Sequence, residues 1–145
     1  MAEEKESADN VVRLKNEARD EPIASFLDME LRELSPGYSR VSMKILPEHQ
    51  NFNGLTFGGI IMAVADQAFG YAVNSLNRPS IASQFNIYFI APAGIGDELT
   101  AEGKVVRSGR RVSICEMTVT NQDGKLVAKA TGMTIAVGEN SHLKA

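Results

Sequence analysis

The sequence predicts an α+β fold, with one long helix packed on one face of an antiparallel sheet. Three observations predict it. Residues 57–75, FGGIIMAVADQAFGYAVNS, form one almost wholly apolar stretch. Four stretches with period-two alternation follow it. At 145 residues and 43% hydrophobic content, the chain makes one domain with enough apolar material for a core.

Residues 1–21 are charged and polar, with Val11, Leu14 and Ala18 at helical spacing; they read as an accessory helix or a frayed arm. Asp20-Glu21-Pro22 marks a helix start, because proline fits the first turn and acidic residues favour that end. Ile23, Phe26 and Leu27 form the apolar stripe of this short helix. Met29, Leu31 and Leu34 suggest a strand, and Ser35-Pro36-Gly37 is a turn. Residues 38–46 then alternate cleanly. Val41, Met43 and Ile45 fall on one face, with Arg40, Ser42 and Lys44 on the other.

Residues 47–56 form a loop with a dense set of polar groups, His49, Asn51, Asn53 and Gly54. Such a loop either carries function or supplies ordinary turn conformations. The apolar stretch after it is a helix, with no polar face separating from an apolar one, as befits a core helix. A membrane span needs about 20 apolar residues, and this segment is shorter and interrupted by Asp66, Gln67 and Gly70. Strands are expected at 80–90, 97–106, 111–120 and 125–137, with a hairpin turn at Asn121-Gln122-Asp123-Gly124. The single domain thus spans 22–138, with a loose tail at 139–145.

Asp66 is the informative residue. A lone carboxylate on a core helix loses hydration unless it is paired, hydrogen-bonded or protonated. Its same-face neighbours, Met62, Ala63, Phe69 and Gly70, carry no positive charge. Asp66 is therefore either tied to a distant arginine or backbone group, or a catalytic carboxylate at the wall of a cleft.

Composition narrows the classes. A net charge of −3 and a pI of about 5.4 do not point to a nucleic-acid partner. Absence of a signal-like N-terminus or a span leads to the expectation of a cytoplasmic protein with no membrane association. The one cysteine, Cys115, sits in a strand pattern and reads as a packed thiol. His49 and His142 are far apart, and no cluster has metal-ligand spacing.

The pattern His49-x-Asn51-x-x-Gly54-x-x-Phe57-Gly58-Gly59, followed by Ala65-Asp66-x-Ala68, resembles the signature of hotdog-fold thioesterases. It is most similar to the PaaI-like acyl-CoA thioesterases of phenylacetic acid degradation. Phe85-Asn86-Ile87-x-x-x-x-Pro92 and Val127-Ala128-x-Ala130-Thr131 extend the likeness along most of the domain. The resemblance implies a long central helix wrapped by an antiparallel sheet, two subunits joined edge to edge through the sheet, and association into a homodimer or homotetramer. It implies an acyl-CoA substrate, no separate cofactor, and catalytic groups drawn from both chains of a dimer. The family's carboxylate falls on Asp66, its backbone oxyanion donor on Gly58 and its asparagine on Asn51. The family usually has histidine before the two glycines, where this chain has Phe57.

The residues fit that chemistry. A helix N-terminus offers unpaired N–H groups and partial positive charge to an oxyanion. Gly58 and Gly59 let substrate approach that backbone. A thiol with a pKa of roughly 8.5 leaves as thiolate without much acid assistance. Asp66 then acts as general base or as nucleophile, and Asn51 orients water or substrate. For coenzyme A, Arg107, Arg110 and Arg111 around Gly109 either meet its phosphates or form a solvated basic turn. Ser83 and Asn86 face opposite sides of one strand, so at most one points into the cleft. Apolar walls from Phe57, Met62, Phe69 and Tyr71 suggest an aromatic or medium-chain acyl group. Phe57 also leaves open a non-catalytic module that binds acyl-CoA, and His49 a hydratase.

Overall fold

The computed structural model describes residues 1–76 and 79–138. The tail expected at 139–145 and the helix exit at Asn77 and Arg78 lie outside the described residues. The order of elements is α1 (Ala2–Arg19), α2 (Pro22–Leu27), β1 (Glu30–Ser35), β2 (Tyr38–Lys44), a 3-10 turn (Pro47–His49), α3 (Gly58–Asn74), β3 (Ser80–Phe89), β4 (Glu98–Ser108), β5 (Val112–Thr120) and β6 (Leu126–Ala136). All strand pairs are antiparallel in one six-stranded sheet, order β1-β2-β4-β5-β6-β3. Its edges are β1 and β3.

Helix α3 lies across the middle of the sheet, over β4 with β2 and β5 on either side. Val64, Ala65, Ala68 and Ala72 are fully buried at that contact, and their small size lets the helix come close. The approach is tightest at Gly103 of β4, where a Cβ would lie 2.7 Å from the Ala68 carbonyl oxygen. The Ser39 hydroxyl of β2 donates to the same oxygen at 2.5 Å. Met43, Ile45, Leu99, Met117, Val119 and Val127 fill the sheet face beneath. Cys115 is fully buried among them, its thiol pushed up to about 12, first by loss of hydration.

Phe69 enters the sheet at a gap that Gly132 leaves in β6, 5.9 Å from the ring of Phe85 on β3. A Cβ at Gly132 would sit 2.6 Å from Phe69 Cε1. Gly132→Ala is therefore expected to lower the unfolding free energy by about 1–3 kcal/mol, the usual cost of overpacking, measured by urea denaturation.

Helix α1 docks as its spacing predicts, with Leu14 buried and Val11 and Ala18 packed against the core. Asn10 is also buried, its amide donating to the Leu76 carbonyl at 3.5 Å while its oxygen accepts from Arg13 at 2.7 Å. In α2 the stripe differs from expectation. Ala24 is buried and Leu27 packs on the core, but Ile23 is exposed and Phe26 is 81% exposed. Six residues make under two turns, so only one narrow side of α2 meets the core. Glu21, which precedes α2, ties it to α3: its carboxylate accepts from the Gln67 amide and, at 3.1 Å, from the Tyr71 hydroxyl. Loss of hydration, reinforced by the Glu21 charge, raises the Tyr71 phenol well above its usual range.

Candidate active site

The site begins in the loop before α3. Asn51 folds this loop on itself, its side-chain oxygen accepting the N–H groups of Asn53 at 2.9 Å and Leu55 at 3.3 Å. Its backbone N–H donates to the Leu55 carbonyl at 2.7 Å, and Gly54 takes the left-handed conformation, φ +74°, that this reversal needs. Among the described residues, no hydrogen bond uses the Asn51 amide nitrogen. His49 is buried and structural: its Nδ1 accepts the Leu46 N–H at 3.0 Å, and its carbonyl accepts the Phe57 N–H at 2.8 Å. The Thr56 hydroxyl donates to the Ala93 carbonyl at 2.5 Å, pinning the loop to the segment after β3. The start of α3 is thus held from both sides.

No side chain caps α3. Among the described residues the N–H groups of Gly58 and Gly59 have no hydrogen-bond partner, so two donors and the positive end of the helix are offered outward. Beside them opens a cavity of about 260 Å³, lined by Asn51, Leu55, Ile61, Phe89, Pro92 and Ala93 among others. The Phe57 ring lies over Gly59, where a Cβ would run into it. Phe69 and Tyr71, expected among the walls, are buried in the core instead, Phe69 against Gly132 and Phe85 of the sheet and Tyr71 with its hydroxyl on Glu21.

Asp66 lies on the side of α3 away from the sheet, exposed together with Met62. The sequence reads as a helix apolar all round and a buried Asp66; in one chain Met62 and Asp66 are exposed on the back of the helix. Adjacent atoms still remove enough water to raise the Asp66 carboxyl above the usual carboxylate range. A base or nucleophile must be ionised, so activity is expected to fall on acidification with an apparent pKa above the ordinary value of roughly 3.9. A pH–kcat/KM profile of wild type checks this.

Asp66 follows Gly58 by eight residues, about 12 Å along a helix axis. A base has to come within about 3 Å of the proton it takes. Within one chain, Asp66 and the Gly58 N–H do not converge on one reacting atom.

The other predicted residues are dispersed. Ser83 sits in a bulge, the extra residue between Ala82 and Gln84, and its hydroxyl donates to the Met133 carbonyl at 3.2 Å. Asn86 pairs with Thr131 on the sheet face away from α3, since its neighbour Phe85 faces Phe69. Arg107, Gly109 and Arg110 lie at the far end of α3. There a cavity of about 480 Å³ is lined by Leu76, Ser108, Gly109 and Arg110, and by Glu3, Glu6 and Ser7 of α1. Asn51, Phe57, Gly58 and Gly59 are brought together; Ser83, Asn86 and the arginines are not. Sequence reasoning missed Phe89 and Ile61 as cavity residues. Nothing local marks them, although an aromatic at the end of an edge strand is a usable signal.

A long helix lying across one face of a six-stranded antiparallel sheet is the hotdog architecture. Comparisons with known proteins agree. Residues 53–128 match the family described as the thioesterase superfamily. The chain is 34% identical over 122 residues to a putative esterase of Archaeoglobus fulgidus, covering 84% of this chain and 79% of that one. It is 30% identical over 115 residues to the acyl-coenzyme A thioesterase PaaI of Escherichia coli K12, covering 79% and 82%. The structure of E. coli PaaI, from the phenylacetic acid degradation operon, superimposes with a TM-score of 0.84 at 26% identity, covering 94% of this chain and 96% of that one. A hypothetical thioesterase protein of Streptococcus pneumoniae TIGR4, solved with coenzyme A, gives a TM-score of 0.78 at 29% identity, covering 88% of this chain and 99% of that one. The chain belongs to the thioesterase superfamily, as a PaaI-like hotdog thioesterase.

Proposed function

We propose that this protein hydrolyses the thioester of an acyl-CoA bearing an aromatic or medium-chain acyl group, in a site completed by a second copy of the chain. One observation carries the reading: Gly58, whose N–H has no hydrogen-bond partner among the described residues, lines an apolar cavity at the start of α3. The thioester oxygen accepts from Gly58 N–H, and its negative charge grows there as the tetrahedral intermediate forms. Asn51, which lines the cavity and whose amide nitrogen has no partner among the described residues, orients the carbonyl or the attacking water. Asp66 activates that water or attacks directly, and the thiolate departs.

The 12 Å separation, about eight helical residues, makes the Asp66 of a second chain the one that serves a given Gly58. Two features support such a dimer. The edge strand β3 is ten residues long and carries neither proline nor lysine, so its outer side is a ready template for pairing. Helix α3 also leaves Met62 and Asp66 uncovered. Thiol release from a panel of aryl- and alkyl-CoA esters tests the reaction, and no release from any ester overturns it. Chain sharing has its own test. Gly58→Pro and Asp66→Asn, each inactive alone, are expected to recover about a quarter of wild-type activity when mixed and reassembled. Half the two-fold dimers are then mixed, each with one intact site. No recovery despite mixed dimers would place both groups in one chain.

Phe57 favours the second reading, a module that binds acyl-CoA without cleaving it. Its ring covers Gly59 where the family usually has histidine. Binding of acyl-CoA without thiol release would select it.

A further inference from the structure

One aromatic ring stands directly over the predicted oxyanion donor. A Cβ built on Gly58 would lie 3.2 Å from Cζ of Phe89 and 3.4 Å from its Cε1, so the ring lies across the Gly58 backbone. Phe89 is the last residue of β3, is 53% exposed, and lines the same cavity as Asn51, Ile61 and Pro92. No charged side chain is present among the lining residues, and the Thr56 hydroxyl there is already committed to Ala93. At roughly 30 Å³ per water-sized group, 260 Å³ accommodates about eight or nine heavy atoms. An arylacetyl or eight-carbon acyl group has that size.

An acyl group whose carbonyl rests on Gly58 N–H must lay its first carbons against the Phe89 ring. A flat ring accepts an unbranched methylene or the face of an aryl group; a methyl on the α-carbon projects into it. We propose that Phe89 is a specificity-determining residue that reads the acyl group next to the carbonyl, admitting arylacetyl and straight-chain esters and excluding α-branched ones. This rests on the thioesterase reading for its turnover assay but not for its binding assay.

The test compares hexanoyl-, phenylacetyl- and 2-methylhexanoyl-CoA in wild type, Phe89→Ala and Phe89→Tyr. Affinities of the matching ketone analogues, with CH2 in place of the thioester sulfur, are measured alongside. Wild type is expected to favour the straight-chain ester over the α-branched one by about tenfold or more, the usual worth of one misplaced methyl in an apolar pocket. Phe89→Ala brings that ratio near one, and Phe89→Tyr, which keeps the ring, restores it. An unchanged ratio in Phe89→Ala overturns the inference even if every protein is active. If wild type releases no thiol, the thioesterase reading fails, and the ratio of analogue affinities still decides the role of Phe89.

Discussion

Asp66→Asn is expected to lower kcat/KM for the best acyl-CoA by about 100-fold or more, the scale of a lost base or nucleophile. The substitution keeps the shape of the side chain and removes only its charge. Its effect on stability should run the other way. Loss of hydration raises the Asp66 carboxyl, so the folded chain holds that proton more tightly than the unfolded chain does. The stability tied to the protonated form is complete below the unfolded pKa and is lost as pH rises through the folded one. At neutral pH the ionised Asp66 opposes folding, and asparagine does not. The variant should therefore melt at the same temperature as wild type or above it at neutral pH, with the gap closing in acid. A variant that is inactive and also melts lower would assign Asp66 a structural role instead.

Gly58→Pro should remove the proposed oxyanion donor while keeping the helix. Gly58 is the first residue of α3, a position where proline is favoured because its N–H is unpaired in any case. Phe57, which would precede the proline, already has φ −57° and ψ 128°, the extended conformation that a following proline requires. The expected loss is about 100- to 1000-fold in kcat, as for removal of one oxyanion donor elsewhere. Gly58→Ala is the control. It retains the N–H and adds only a Cβ, 3.2 Å from the half-exposed Phe89 ring, which can turn aside. Circular dichroism of both variants checks that α3 persists. Equal losses in the two would mean that crowding against Phe89, not the missing donor, is responsible.

Much of this arrangement was legible in the sequence. Residues 57–75 declare their helix because glycine, alanine and apolar residues run for four turns without a strand pattern. Strands β2, β4, β5 and β6 declare themselves because alternate residues of each are buried on the core face, as Val41-x-Met43-x-Ile45 shows. Asn51, Gly58 and Gly59 are close in sequence as well as in space, so local spacing was enough to collect them.

What escaped depends on contacts distant in sequence. The bulge at Ser83 arises from pairing with β6, fifty residues on, and upsets the simple two-residue alternation. Phe89 meets Gly58 only after the sheet has formed. The exposure of Asp66 could not be foreseen, since an apolar stripe looks the same whether its own fold or a second copy covers it. The arginines around Gly109 drew notice as a basic turn, and only the topology shows that they lie at the far end of α3.

The carboxylate of Glu21 has a consequence for how the chain divides. Composition puts the border of the N-terminal arm just before Pro22, where charged residues give way to the domain. Hydrogen bonding draws it elsewhere, since Glu21 is the acceptor for Gln67, next to Asp66 on α3, and for Tyr71 one turn further on. A truncation at the compositional border would leave Gln67 and the buried Tyr71 phenol only each other as partners, whereas one made just before Asp20 would keep the Glu21 carboxylate that both donate to. Neither cut frees the rest of the arm, since α1 covers the core with Leu14, Val11 and Ala18. By its side-chain bonds Glu21 belongs to α3, although it stands next to α2 in the chain.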